Sequence, residues 1–141
     1  MWNFKRDLEL GLKEELKVMN ALINNWWKLE KNSDKKWVDL IWDYNVEVKY
    51  DIMSKRTGNY YIETSCWWKP SWVYKYKDLD YWCQSDWWDA FIISKDNLIQ
   101  LIKDKGKRIK GWDGGRSAGC LVKTIDFIKE SILHFKFIDY E

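Results

Sequence analysis

The chain has 141 residues, enough for one domain built on one packed core. Its 46% hydrophobic and 33% charged residues exclude extended disorder, its apolar runs are too short to cross a bilayer, and a net charge of +2 excludes a strongly basic nucleic-acid coat. There is one histidine, His134, and there are three widely spaced cysteines, Cys66, Cys83 and Cys120. Histidine triads, Cys–His pairs and zinc sites therefore lack partners, and any catalysis is expected to rest on carboxylates and lysines.

Taken in chain order, residues 4–30 read as one amphipathic helix. Leu8, Leu12, Leu16, Met19, Leu22, Ile23 and Trp26 recur at helical spacing, with Lys and Glu between them. Glu15 falls on that apolar stripe, three residues after Leu12 and four before Met19, and Glu14 shares it less closely. Two strands are predicted at 36–42 and 45–51, separated by a polar turn at Asp43-Tyr44-Asn45. Thr57-Gly58-Asn59 makes a further turn into a strand at 60–67, and Lys69-Pro70-Ser71 opens an irregular link. Residues 89–94 read as a buried strand. Ser94 then caps a helix running to about Lys103, with Leu98, Leu101 and Ile102 inward. Lys103, Lys105, Lys107, Arg108 and Lys110 crowd one segment, which serves as a solvated face or as a phosphate contact. A glycine-containing loop at 111–119 leads to a last helix carrying Leu121, Ile125, Ile128 and Ile132, and His134 is expected to be structural. The order predicts a single α+β domain over 1–141, an α/β sandwich on a mixed sheet. Nothing at the start reads as a signal sequence, so a cytoplasmic setting and no membrane association are expected.

The strongest local feature is Asn45-Val46-Glu47-Val48-Lys49-Tyr50. On a strand, Glu47 and Lys49 share one face, and Val46, Val48 and Tyr50 take the other. An acid and a lysine so placed form either a plain ion pair or part of a reactive site. If the hairpin turns symmetrically about Tyr44, position 41 opposes 47 and 39 opposes 49. Asp39 then joins that face, whereas a loop one residue shorter would flip it away. Two carboxylates on one face repel unless a cation lies between them. Mg²⁺ or Mn²⁺ suits oxygen ligands of this kind, and Lys49 would orient water or stabilise charge on a phosphate. Glu15, if it is core-facing, needs a partner or a metal, and the alternative is a place at the wet edge of the stripe.

These residues resemble the PD-(D/E)XK nuclease superfamily, including archaeal-type Holliday junction resolvases. The matching elements are Gly11-Leu12-Lys13-Glu14-Glu15, then Asp39, then Glu47-Val48-Lys49. A closer resemblance is to small, often phage-borne members. It rests on Thr57-Gly58-Asn59, Ile62-Glu63, Lys69-Pro70-Ser71 and Asp80-Tyr81-Trp82, and covers roughly residues 11 to 93. The resemblance implies a restriction-endonuclease-like αβββαβ core and hydrolysis of phosphodiester bonds in DNA. It implies metal ligation by Asp39, Glu47 and the Val48 carbonyl with help from Glu15, with Lys49 catalytic and Glu63 an added acid. Backbone contacts are expected from Lys69, Ser71, Lys75, Lys77, Lys107 and Arg108. Branched or single-stranded DNA is the expected partner, cut by a homodimer, in the host cytoplasm if the chain is phage-encoded. The alternatives are a site-specific restriction-type endonuclease and a non-catalytic DNA-binding module of the same fold. The sequence departs from the family pattern at Trp72 and at Trp112, where glycine is expected, and Trp42 sits awkwardly beside the hairpin turn. The twelve tryptophans admit three readings: base-stacking surfaces, core residues, or glycines of a host that reads UGA differently.

Overall fold

A computed structural model describes residues 4–24, 29–31, 40–42, 44–66, 69–70, 78–86, 88–110 and 117–137. Helix α1 (Phe4–Asn24) opens the chain, rich in the Leu, Lys and Glu that favour helices. It buries Glu14, Val18 and Leu22, one turn apart, whereas Leu12, Leu16 and Ile23 are exposed. Leu22 and Met19 of the predicted stripe do face the core, but Leu12, Leu16 and Ile23 do not, so the inward stripe is rotated from the one the periodicity predicts. Several adjacent helix faces are apolar enough to serve, and the docking surface selects among them. That surface is Val46, Val48, Cys83, Ala90 and Ile92, with which Val18 and Leu22 form one core cluster. Each aliphatic side chain so buried contributes about 1.5–3 kcal/mol. The helix also stops earlier than predicted, and Leu29–Lys31 is strand β1.

Strands β2 (Leu40–Trp42) and β3 (Val46–Tyr50) form the predicted hairpin. Leu40 faces Val46, so the pairing is centred on position 43 instead of Tyr44. The two-residue change in facing partners leaves unchanged which residues share a face. A single turn of helix, α2 (Ser54–Thr57), ends at Gly58, whose φ of +73° is the left-handed conformation that the Thr-Gly-Asn turn predicts. Strand β4 (Asn59–Cys66) and the short β5 (Lys69–Pro70) follow.

Strand β6 (Tyr81–Ser85) lies where an irregular link is predicted. Its four residues after Tyr81 are all buried, so no apolar–polar alternation marks it in the sequence. Strand β7 (Asp89–Ser94) and helix α3 (Lys95–Lys105) agree with prediction. Ser94 Oγ caps α3 by accepting the Asn97 N–H, and Leu98, Leu101 and Ile102 are buried. Strand β8 (Lys107–Lys110) carries Lys107, Arg108 and Lys110 of the basic segment, while Lys103 and Lys105 lie in the last turn of α3.

The predicted last helix is instead strand β9 (Ser117–Lys123), helix α4 (Thr124–Glu130) and strand β10 (Leu133–Lys136). Leu121 belongs to β9, while Ile125, Ile128 and Ile132 are exposed and Phe127 fills the core. Their spacing of four, three and four imitates a helix, but the β-branched residues around them pair with a sheet at each end.

The main sheet runs β1-β2-β3-β6-β7-β10, mixed because β3 and β6 are parallel and the other neighbours antiparallel. A second, antiparallel sheet runs β5-β4-β9-β8. The class is thus α+β with a mixed sheet, as the order of elements predicts. The third predicted strand, however, joins the second sheet, paired to β9, rather than extending the β2–β3 hairpin. One core lies under α1. The other joins Tyr60, Ile62, Trp82, Ile93, Leu98, Val122 and Phe127 between the sheets and helices α3 and α4. No helix among the described residues is long and apolar enough to cross a membrane.

Candidate functional site

The site is built on β3. Val46 and Val48 point into the α1 core, so Glu47 and Lys49 point to the opposite face. The parallel pairing with β6 sets Trp82 beside Glu47 and Gln84 beside Lys49. The start of this strand pair is pinned at Asn45. Its backbone N–H donates to Asp80 Oδ2 at 2.7 Å, and its side-chain amide donates to the Asp78 carbonyl at 2.8 Å. Glu47 is 1% exposed. Lys49 Nζ lies 3.9 Å from Glu47 Oε1, with the lysine side chain 29% exposed. The carboxylate is thus held out of water while the ammonium reaches it.

A cleft of about 790 Å³ opens beside Lys49. Strand β3 and the turn after it contribute Lys49, Tyr50, Asp51 and Met53, and the face of the second sheet contributes Asn59, Tyr61, Glu63, Leu121 and Ile109. Trp82 and Gln84 of β6 close it. Glu63, far from Lys49 in sequence, therefore lines the same cleft. The β4–β9 register shifts between Glu63 and Ser65, a bulge of the kind that re-aims side chains, and Thr64 Oγ1 donates to the Ala118 carbonyl at 3.2 Å there. Asp51 is an acid of this cleft that the sequence reading did not single out. Burial pushes its carboxyl above the ordinary value, and backbone N–H groups, that of Met53 at 3.0 Å among them, act in the opposite sense.

The helix carboxylate is corrected. Glu14, not Glu15, is the inward acid of α1: it is 2% exposed, whereas Glu15 is half-buried. Glu14 Oε1 accepts from Lys17 Nζ at 2.6 Å and Oε2 from Ser85 Oγ at 2.5 Å. Ser85 pairs with Tyr50 across the parallel strands, one step out of phase with Gln84. Glu14 is consequently bound on the α1 face of the sheet, away from the face that carries Glu47 and Lys49. Val48, between the two site residues, is buried against α1.

A second charged group gathers at the far end of β6 and β7. Asp86 Oδ1 accepts the backbone N–H groups of Trp88 and Asp89, both at 2.8 Å, and closes the turn. Lys55 Nζ approaches Asp89 Oδ2 at 3.0 Å and Asp86 Oδ2 at 3.8 Å. His134 Nε2 lies 2.8 Å from Asp89 Oδ1, and its ring stacks on Phe91 at 4.3 Å. These contacts join α2 to the β7 and β10 strands at this end of the main sheet. Cys83 and Cys120 are buried reduced thiols.

Of the predicted DNA contacts, Lys107 and Arg108 are exposed neighbours on β8 that point to opposite faces. Lys107 pairs with Leu121 and shares the cleft face with Ile109, whereas Arg108 pairs with Cys120 on the core side. Lys69 is described only through the β5 backbone. Asp39, Ser71, Lys75 and Lys77 lie outside the described residues, as do Trp72 and Trp112. Asp39 directly precedes Leu40, whose strand partner Val46 directly precedes Glu47. Among the described residues, no three His, Cys, Asp or Glu side chains gather closely enough to hold a metal ion. Compared with known proteins, the chain matches no family model, no curated protein and no solved structure.

Proposed function

We propose that the protein is a metal-dependent DNA endonuclease of the PD-(D/E)XK kind, acting on branched DNA. One observation carries this reading: Glu47, almost fully buried, with Lys49 at 3.9 Å on the same face of a sheet strand, beside a cleft that Lys49 and Glu63 both line. Burying a carboxylate is costly, and a fold that needed only packing there would be served as well by an apolar residue. A helix packed against a hairpin whose second strand carries Glu-Val-Lys, with a parallel strand on its other side, supports a restriction-endonuclease-like core.

Glu47 and Asp39 are the residues that would hold Mg²⁺ or Mn²⁺, with the Val48 carbonyl. A bound metal would polarise a phosphodiester and lower the pKa of attacking water. Lys49 orients that water or holds the phosphate through its partly exposed ammonium, and Glu63 bounds the cleft on the opposite sheet. Glu15 keeps at most an indirect role, because the inward position on α1 belongs to Glu14. Two symmetric cuts at a four-way junction need a homodimer. The test is cleavage of matched duplex, single-stranded, flap and four-way-junction DNA with Mg²⁺, for the wild type and Glu47→Gln. Cutting of the branched substrates that the variant loses supports the proposal. Sequence-dependent cutting of linear duplex would make it a restriction-type enzyme, and metal-dependent binding without cutting would make it a DNA-binding module.

A further inference from the structure

We infer that the cleft beside Lys49 is a binding pocket for one unstacked nucleobase of the DNA strand whose backbone lies at Lys49. The inference rests on the nuclease reading for its substrate class and on the pocket's own chemistry for its occupant.

The cleft is poorly suited to a phosphate chain. Its exposed walls are largely rings and aliphatic groups, Tyr61, Trp82, Ile109 and Leu121, and its ammonium, Lys49, shares the cleft with the carboxyls of Asp51 and Glu63, which further disfavour a run of phosphates. Its volume of about 790 Å³ is in the range of sites that enclose a small organic molecule, about 300–1,000 Å³. Tyr61 is held in place. Its ring lies against Gly119, where any Cβ would collide with that ring and with the Ile62 carbonyl, and its hydroxyl is 3.5 Å from Ser117 Oγ. A rigid aromatic face of this kind suits stacking on a flat π-system.

Gln84 adds a polar requirement. It is 1% exposed, and its Oε1 accepts from Trp82 Nε1 at 2.6 Å, which fixes the amide orientation. Its Nε2 is then a buried donor with no hydrogen-bond partner among the described residues, in a side chain that lines the cleft. A buried donor without an acceptor costs free energy that a bound acceptor recovers. The occupant is therefore flat, largely apolar, carries an acceptor on one edge and is joined to an anion within reach of a lysine. A nucleotide with its base turned out of the stack has all four properties: its base edges offer carbonyl and ring-nitrogen acceptors.

The test compares duplexes with one central bulged nucleotide, the same bulge without its base, and no bulge. Binding to the full chain is measured by fluorescence anisotropy in EDTA, so that no cutting intervenes. Wild-type protein is expected to bind the base-containing bulge about tenfold more tightly than the abasic one. Tyr61→Leu should bring that ratio close to one. Gln84→Glu keeps the acceptor for Trp82 but removes the amide N–H, and should lower the ratio severalfold. Equal wild-type affinity for the two bulges overturns the inference whatever the variants do. A preference that survives both substitutions removes it from this cleft. Cleavage with Mg²⁺ is scored separately on the same DNAs. Cutting without base preference sinks the pocket and leaves the nuclease reading standing, and base preference without cutting does the reverse.

Discussion

Lys49→Met removes the ammonium and keeps an apolar stem against the strand. At 3.9 Å from Glu47 Oε1, the two charges attract by about 4 kcal/mol at an effective dielectric constant of about 20. The lysine side chain is 29% exposed, so solvent screening reduces this by about half, and a loss of about 2 kcal/mol of stability is expected. For a domain of this size that lowers Tm by roughly 5–8 °C, measurable by circular dichroism. Glu47→Gln on the same background removes the buried negative charge and should restore most of that loss. The two roles of the pair then separate. A structural ion pair predicts that the double variant regains stability and every activity together. A catalytic pair predicts a double variant that melts near the wild type yet cleaves DNA about a hundredfold more slowly or worse. Lys49→Met protein that keeps its Tm and its cleavage rate, or a double variant that cuts like the wild type, would refute the reasoning.

Because Lys107 shares the cleft face and Arg108 does not, Lys107→Ala should weaken binding to all DNAs and lower the salt slope by about one. Arg108→Ala should leave the slope nearly unchanged, and equal effects would remove the cleft from the DNA path. Burial raises the Asp51 pKa above its ordinary 3.8, so its ionised form opposes folding. Wild-type stability should therefore fall as pH rises through the folded pKa. Asp51→Asn should gain Tm at pH 7 and lose that advantage as pH is taken below 3.8. Gly119→Ala places a methyl group against the Ile62 carbonyl and the Tyr61 ring and should cost about 1–3 kcal/mol by urea unfolding, whereas Gly58→Ala meets no neighbouring atom and is strained only through its φ of +73°.

What the sequence determined by itself was local. The period-two run around Glu47 named the strand and put Glu47 and Lys49 on one face, because alternation is a property of the strand alone. Thr57-Gly58-Asn59 announced its turn through the one residue at ease at positive φ, and Ser94 announced α3 through its hydroxyl. The tertiary structure decided everything that depended on a partner surface. Glu14 took the inward place on α1 over Glu15 because the apolar patch of β3, β6 and β7 fixed the rotation of a helix with several apolar faces. Strand β6 left no period in its sequence because it is covered on both sides, and with it Gln84 stayed hidden until parallel pairing set it beside Lys49. Lys49 and Glu63 line one cleft from two different sheets, because β4 pairs with β9, a long-range choice that no short window of sequence contains.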